Sequence, residues 1–225
     1  MTNRLMIISG QYLELFKSIP EHIRWTPDQI ERSMRETLGA RPETGDLWVF
    51  GYGSLIWNPV CRFTSQQKSV LDGWHRSFCL RTIAGRASEH LPGRMLSLEP
   101  GGRTEGLALR LPASAIEEEL SLLWMREMPT GAYRPIWSTI QTADGERPTA
   151  LIFVADRDHH LYEPDASIAS VAAFVAHANG PLGTNADYVF KLKDALDYWR
   201  ISDRYVENLA DAVALRHSEA VIQCR

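Results

Sequence analysis

Gly51-Tyr52-Gly53-Ser54-Leu55-Ile56 follows a short apolar run, and a glycine loop in that place could serve three chemistries. A dinucleotide-binding turn needs a third glycine where Ile56 stands, so that reading fails. A nucleophile elbow needs glycines two residues to either side of its serine, and Ser54 has Tyr52 and Ile56 there. Capture of an anion or carbonyl remains. Glycines let backbone N–H groups approach a ligand closely, and Ser54 adds a hydroxyl. A tight turn that merely ends a strand has the same spacing, so the loop alone leaves both readings open.

Glu127 carries more information. Ile116, Leu120, Leu123 and Trp124 recur at helical spacing and define one apolar face. Glu127 lies eleven residues beyond Ile116, three helical turns to within about 20°. It should therefore project from the buried face in the last turn. Glu118 falls opposite, while Glu117 and Glu119 fall on the flanks, nearer solvent. Burial and the negative end of the helix both disfavour the charged carboxylate. Its pKa should rise toward the range in which one group can take and return a proton near neutral pH. A structural glutamate paired with Arg126, Arg134 or Arg81 is the competing reading.

Other candidates carry less. His159-His160 sits among Asp156, Arg157 and Asp158 and reads as a solvated loop, with no third metal ligand evident. His75 lies in a strand-like run and reads as a partly buried, satisfied histidine. Gly180 to Asn185 joins two helices. Thr184 can cap the second, and Asn185 has an amide able to meet a ligand, although a rigid interhelix turn explains the segment as well.

These residues must be held by a mixed scaffold. The first 45 residues read as a helical extension packed on the rest without chemistry; Thr26-Pro27-Asp28-Gln29 is a capping box opening a helix to about Leu38. Strands are expected at Leu47 to Tyr52, Val70 to Arg81, Met95 to Leu98, Gly106 to Leu111, Tyr133 to Gln141 and Thr149 to Val154. A helix at about Ala115 to Met128, opened by a Ser114/Glu117 capping box, interrupts them. Residues 165–217 turn helical again. The order lacks a regular βαβ alternation and implies an α+β fold, a mixed and partly closed sheet with helices around it, in one domain over residues 1–225.

Composition narrows the function. The chain has 225 residues with a net charge of −4, and its basic residues are scattered, which argues against a nucleic-acid partner. Seven tryptophans are spread along the chain as core and pocket wall. Cys61, Cys79 and Cys224 form no metal-ligand spacing and suit a reducing cytosol. The apolar run Leu5 to Ile8 is too short to span a membrane. A soluble cytoplasmic protein is expected, with no metal, no membrane partner and no obligate protein partner.

WVFGYGSLIWNP (Trp48 to Pro59), GWHRSFCLR (Gly73 to Arg81), PGRMLSL (Pro92 to Leu98), LLWMREMPTGAY (Leu122 to Tyr133) and GPLGTNADYVF (Gly180 to Phe190) together resemble the ChaC family of glutathione-specific γ-glutamyl cyclotransferases, its bacterial branch. The resemblance implies a γ-glutamyl cyclotransferase-like mixed β-barrel with flanking helices. It implies a lyase that cleaves glutathione to 5-oxoproline and Cys-Gly without a cofactor. Glu127 would be the catalytic acid and base. Gly51, Tyr52, Gly53, Ser54, Leu55 and Ile56 would bind the γ-glutamyl group, with Tyr133 and Asn185 as further substrate-binding residues. Arg126 should fall outside the pocket. Other γ-glutamyl donors, or a non-catalytic role in regulating cation transport, are the alternatives.

Overall fold

The structure, a computed structural model, describes residues 3–223; Cys224 lies outside the described residues. Helices α1 (Arg4–Ile8), α2 (Gln11–Glu14) and α3 (Pro27–Gly39) make up the N-terminal extension. Thr26 opens α3 with the expected box: its side chain accepts from the Gln29 N–H, and the Gln29 side chain accepts from the Thr26 N–H.

Strand β1 (Leu47–Gly51) leads into the glycine loop and is followed by β2 (Ser65–Thr82) and β3 (Gly93–Leu111). The two strands expected at 95–98 and 106–111 are one. Gly101 and Gly102 take positive φ, and the register shifts opposite them between Asp72 and Trp74. The glycines bend the ribbon through a bulge, and the strand continues across the gap left between the two expected ones. Helix α4 (Ile116–Glu127) comes next, then β4 (Tyr133–Thr139), β5 (Gln141–Thr142) and β6 (Thr149–Ala155).

The sheet order is β4-β6-β1-β3-β2-β5, antiparallel except for the parallel pair β1/β6. The run expected as one strand from 133 to 141 is split at Ile140, and its halves pair at opposite edges of the order. A single residue can bridge two edges only if the sheet curls until they meet, so the sheet forms a partly closed barrel with helices outside it. The central strands β1 and β6 are apolar and buried along nearly their whole length, as a strand covered on both faces must be. Then come α5 (Ile168–Val175), the two-residue pair β7 (Asn179–Gly180) and β8 (Gly183–Thr184), α6 (Asn185–Tyr198) and α7 (Arg204–Gln223). Among the described residues no helix is long and apolar enough to cross a membrane.

Helix α4 packs its expected face. Leu120, Leu123 and Trp124 are buried, and the Trp124 ring meets Phe153 edge-on at 5.0 Å. Its start differs from expectation. A single 3-10 turn, Ala113–Ala115, precedes it, and no side chain caps the helix at Ala115. Glu119 also differs. It is fully buried rather than near solvent, because α1 covers that flank. Arg4 donates to it, with Nη2 at 2.9 Å from Oε1, and Arg62 donates through both its backbone N–H and its Nε at 2.8 Å. Burial works to raise the Glu119 pKa, but these donors outweigh it and hold the carboxyl below its ordinary range. A carboxyl depressed in the folded state stabilises above its unfolded pKa and loses that contribution as pH falls through its folded value. Glu119→Gln should therefore cost about 1.5–3 kcal/mol at pH 7. The difference from wild type should shrink below about pH 4.5. Melting curves at pH 7 and in acid check this; an equal deficit at both would count against the ion-pair account.

Candidate active site

β1 delivers the chain to the end of the barrel, where Ser54–Ile56 makes one 3-10 turn closed by Ile56 N–H to the Gly53 carbonyl at 2.9 Å. The turn lies beside the C-terminal end of α4 and the start of β4. Between them is a cavity that Tyr52, Gly53, Ser54 and Leu55 line together with Glu127 and Tyr133. Gly51 and Ile56 are not among the lining residues; they sit behind the loop and set its shape.

Glu127 occupies the last residue of α4 and faces this cavity with its side chain 15% exposed. Burial raises its pKa, and the Arg126 guanidinium, with Nε 3.3 Å from Glu127 Oε1, partly opposes the rise. The carboxylate is thus set apart from water but kept ionisable by one adjacent cation.

Arg126 is a correction to expectation. It is buried and lines the cavity rather than lying outside it. Its Nη1 donates to the Asn58 carbonyl at 2.5 Å, and its Nη2 donates to Ser54 Oγ. Helical phase assigns consecutive residues to different faces, but this cavity sits off the end of the helix. Met128 has already left helical geometry, so two neighbouring side chains enter one space. Arg126 ties the acid to the glycine loop.

The two tyrosines are walls with their hydroxyls used. Tyr52 donates to the Phe153 carbonyl at 2.6 Å and Tyr133 to the Leu96 carbonyl at 2.8 Å. Burial pushes both phenols well above their ordinary range, so they stay neutral. Asn185 is not brought to the cavity. It is fully buried, accepts from the Arg94 N–H at 2.7 Å and donates to the Arg94 carbonyl at 2.9 Å. Thr184 caps α6 through Asp187 N–H as expected.

Three contributors to the cavity escape the sequence reading. Tyr188 is buried and lines the cavity beside Ser54. It belongs to the quoted segment Gly180 to Phe190, which is a signal of a kind. Arg86 comes from the unremarked stretch between β2 and β3. The N-terminal extension supplies Tyr12, Phe16 and Ile19 as one wall, so it does more than pack on the outside. Tyr12 donates to the Arg126 carbonyl at 3.3 Å, anchoring the extension at the helix end that carries the acid.

The histidines do not enter the site. His159 accepts from Leu161 N–H on Nδ1, which leaves Nε2 to donate to the Thr130 carbonyl at 2.9 Å. Both nitrogens are used in bracing the loop. His75 is exposed rather than partly buried, with Nδ1 3.1 Å from the Gly101 carbonyl. Among the described residues no three His, Cys, Asp or Glu side chains cluster so as to hold a metal ion.

Comparison with known proteins adds an independent line. The family model described as ChaC-like protein matches residues 47–216. A glutathione-specific gamma-glutamylcyclotransferase of Escherichia coli (strain K12) is 46% identical over 196 residues, covering 87% of this chain and 85% of the relative. Glutathione-specific gamma-glutamylcyclotransferase 1 of Mus musculus is 30% identical over 185 residues, covering 77% and 83%. Among solved structures, a gamma-glutamyl cyclotransferase specific to glutathione from yeast superimposes with a TM-score of 0.71 at 19% identity. It covers 77% of this chain and 97% of its own, and the likeness bears out the curled mixed sheet with flanking helices.

Proposed function

The chain belongs to the ChaC-like family, and on that premise we propose that it cleaves glutathione to 5-oxoproline and Cys-Gly, with Glu127 moving the proton. The observation that carries this reading is a secluded carboxylate of raised pKa opening into the same cavity as Tyr52 to Leu55.

The γ-glutamyl group brings its own nucleophile. Its α-amine attacks the γ-carbonyl carbon, a new C–N bond closes the five-membered lactam, and the amide C–N bond to cysteine breaks. Ionised Glu127 takes a proton from the α-ammonium and returns one to the departing cysteinyl nitrogen, so protons balance. The enzyme's work is to hold the substrate folded, which makes ring closure a matter of proximity. Backbone N–H groups of the loop are suited to the α-carboxylate or the oxyanion that forms at the γ-carbonyl. Arg126 positions both parts, since it reaches Ser54 and Glu127 at once.

Release of 5-oxoproline from glutathione, compared with release from γ-glutamyl-alanine, tests the reading. Turnover of glutathione far above γ-glutamyl-alanine is expected. Comparable turnover of both would make the chain a general γ-glutamyl cyclotransferase, and none from either would end the proposal.

Arg126 gives a second test. Its charge lowers the Glu127 pKa against the rise from burial. Arg126→Met removes that lowering influence along with the bonds to Ser54 and Asn58, so the Glu127 pKa should climb. A base is active when ionised, and the acid limb of kcat/KM should move to higher pH. A pH profile of the variant checks the direction; a limb that stayed in place or moved down would show that another group sets it.

A further inference from the structure

Arg86 stands in the cavity with no carboxylate in contact among the described residues. It is half-buried, its guanidinium lies over the Tyr188 ring at 5.8 Å from the centroid, and its Nη1 donates to the Thr184 carbonyl at 3.0 Å. Among the described residues it forms no ion pair, and exposed Asp187 acts on it only through space. Burial works against its charged form. A partly desolvated arginine with no carboxylate is an incomplete arrangement, because buried charge is costly unless paired.

The backbone that carries Arg86 is held firmly. Leu182 N–H donates to the Gly85 carbonyl at 2.8 Å. Gly180 presses so closely that a side-chain carbon there would come within 2.4 Å of that same oxygen and 2.6 Å of the Ala87 carbonyl. Farther along, Asn185 clamps Arg94 where β3 begins. A guanidinium presented by a clamped segment toward a cavity is preorganised for a ligand.

Three arginines line the cavity: Arg81 on β2 is exposed, Arg86 is half-buried and Arg126 is buried. Arg126 is committed to Ser54, Asn58 and Glu127. It is also the cation in contact with the Glu127 carboxyl, with Nε 3.3 Å from Oε1. The α-carboxylate of a γ-glutamyl substrate is attached to the same carbon as the amine that Glu127 must reach, so it belongs at the Arg126 and glycine-loop end. Arg86 instead reaches toward the start of α6, where it meets the Thr184 carbonyl.

Resting on the function proposed above, we infer that Arg86 receives the carboxylate at the far, leaving-group end of the substrate, that of the C-terminal glycine. It is a specificity residue: its bidentate fork favours a γ-glutamyl peptide that places a carboxylate one residue beyond the cysteine. A γ-glutamyl amino acid or amide cannot reach it while keeping its amine at Glu127.

The test compares glutathione with its glycine monoethyl ester, which removes only that charge. Wild type should favour the free acid roughly tenfold to a hundredfold in kcat/KM, chiefly through KM. In Arg86→Met the ratio of acid to ester should fall toward one, and in Arg86→Lys it should recover in part. Equal use of acid and ester by the wild type would overturn the inference without any variant. So would Arg86→Met losing both substrates in the same proportion, which would assign Arg86 to the glutamyl end or to the fold. A wild type that released 5-oxoproline from neither would instead remove the cyclotransferase reading on which the inference stands.

Discussion

Glu127→Gln should lower kcat for 5-oxoproline release by about 10²–10⁴-fold, the range that general acid–base groups supply. Glutamine keeps the shape of the side chain and can still accept from Arg126, but it cannot take the proton of the α-ammonium. Substrate should still bind, since the loop and Arg126 remain in place. Stability should not suffer. Burial raises the Glu127 pKa in the folded protein. A carboxyl with a folded pKa above its unfolded value costs stability when ionised, so at neutral pH the neutral amide should leave the melting temperature unchanged or slightly higher. The pair of measurements is diagnostic. Lost turnover with an intact fold and intact glutathione binding marks a proton carrier. A variant that unfolds would mark Glu127 as a structural partner of Arg126, and one that turns over as wild type would show that another group carries the proton.

The sequence made Glu127 legible because a helix has one strong periodicity and Glu127 lies on it. Thr26 and Thr184 were legible for a related reason: capping is local chemistry, settled within three residues. What escaped was decided across the chain. Glu119 looks like a solvent-facing flank until residues 4 and 62 arrive beside it. Arg126 looks like the wrong face until the cavity is found to lie off the end of the helix. Residues 95–98 and 106–111 look like two strands, and only the partner strand reveals one strand with a bulge between them. The wall formed by Tyr12, Phe16 and Ile19 belongs to a segment whose own pattern speaks only of helix. Single-sequence reasoning sees along an element. It does not see which elements meet, and most of the cavity is made where elements meet.

The same distinction reassigns the segment from Gly180 to Asn185, and the consequence is large. Asn185→Ala should destabilise the protein by about 2–5 kcal/mol, because it leaves both the N–H and the carbonyl of buried Arg94 without their partner, at about 1–3 kcal/mol for each buried group. At this chain length the loss corresponds to a fall in melting temperature of about 5–15 °C. The contact is closely built. Gly93 lies so near the amide that a side-chain carbon there would fall 2.2 Å from Asn185 Oδ1. Two distant motifs, Pro92 to Leu98 and Gly180 to Phe190, are thus halves of one clamp, and the segment between β2 and β3 that presents Arg86 is anchored by it. Activity should fall as a secondary effect, with KM for glutathione rising as Arg86 loses its fixed position. Asn185→Asp separates the two bonds: its carboxylate still accepts from the Arg94 N–H but cannot donate to the carbonyl, so its stability should fall between wild type and alanine. Were Asn185 instead a direct substrate ligand, alanine would raise KM with the melting temperature unmoved, and that result would restore the assignment which the fold has taken from it.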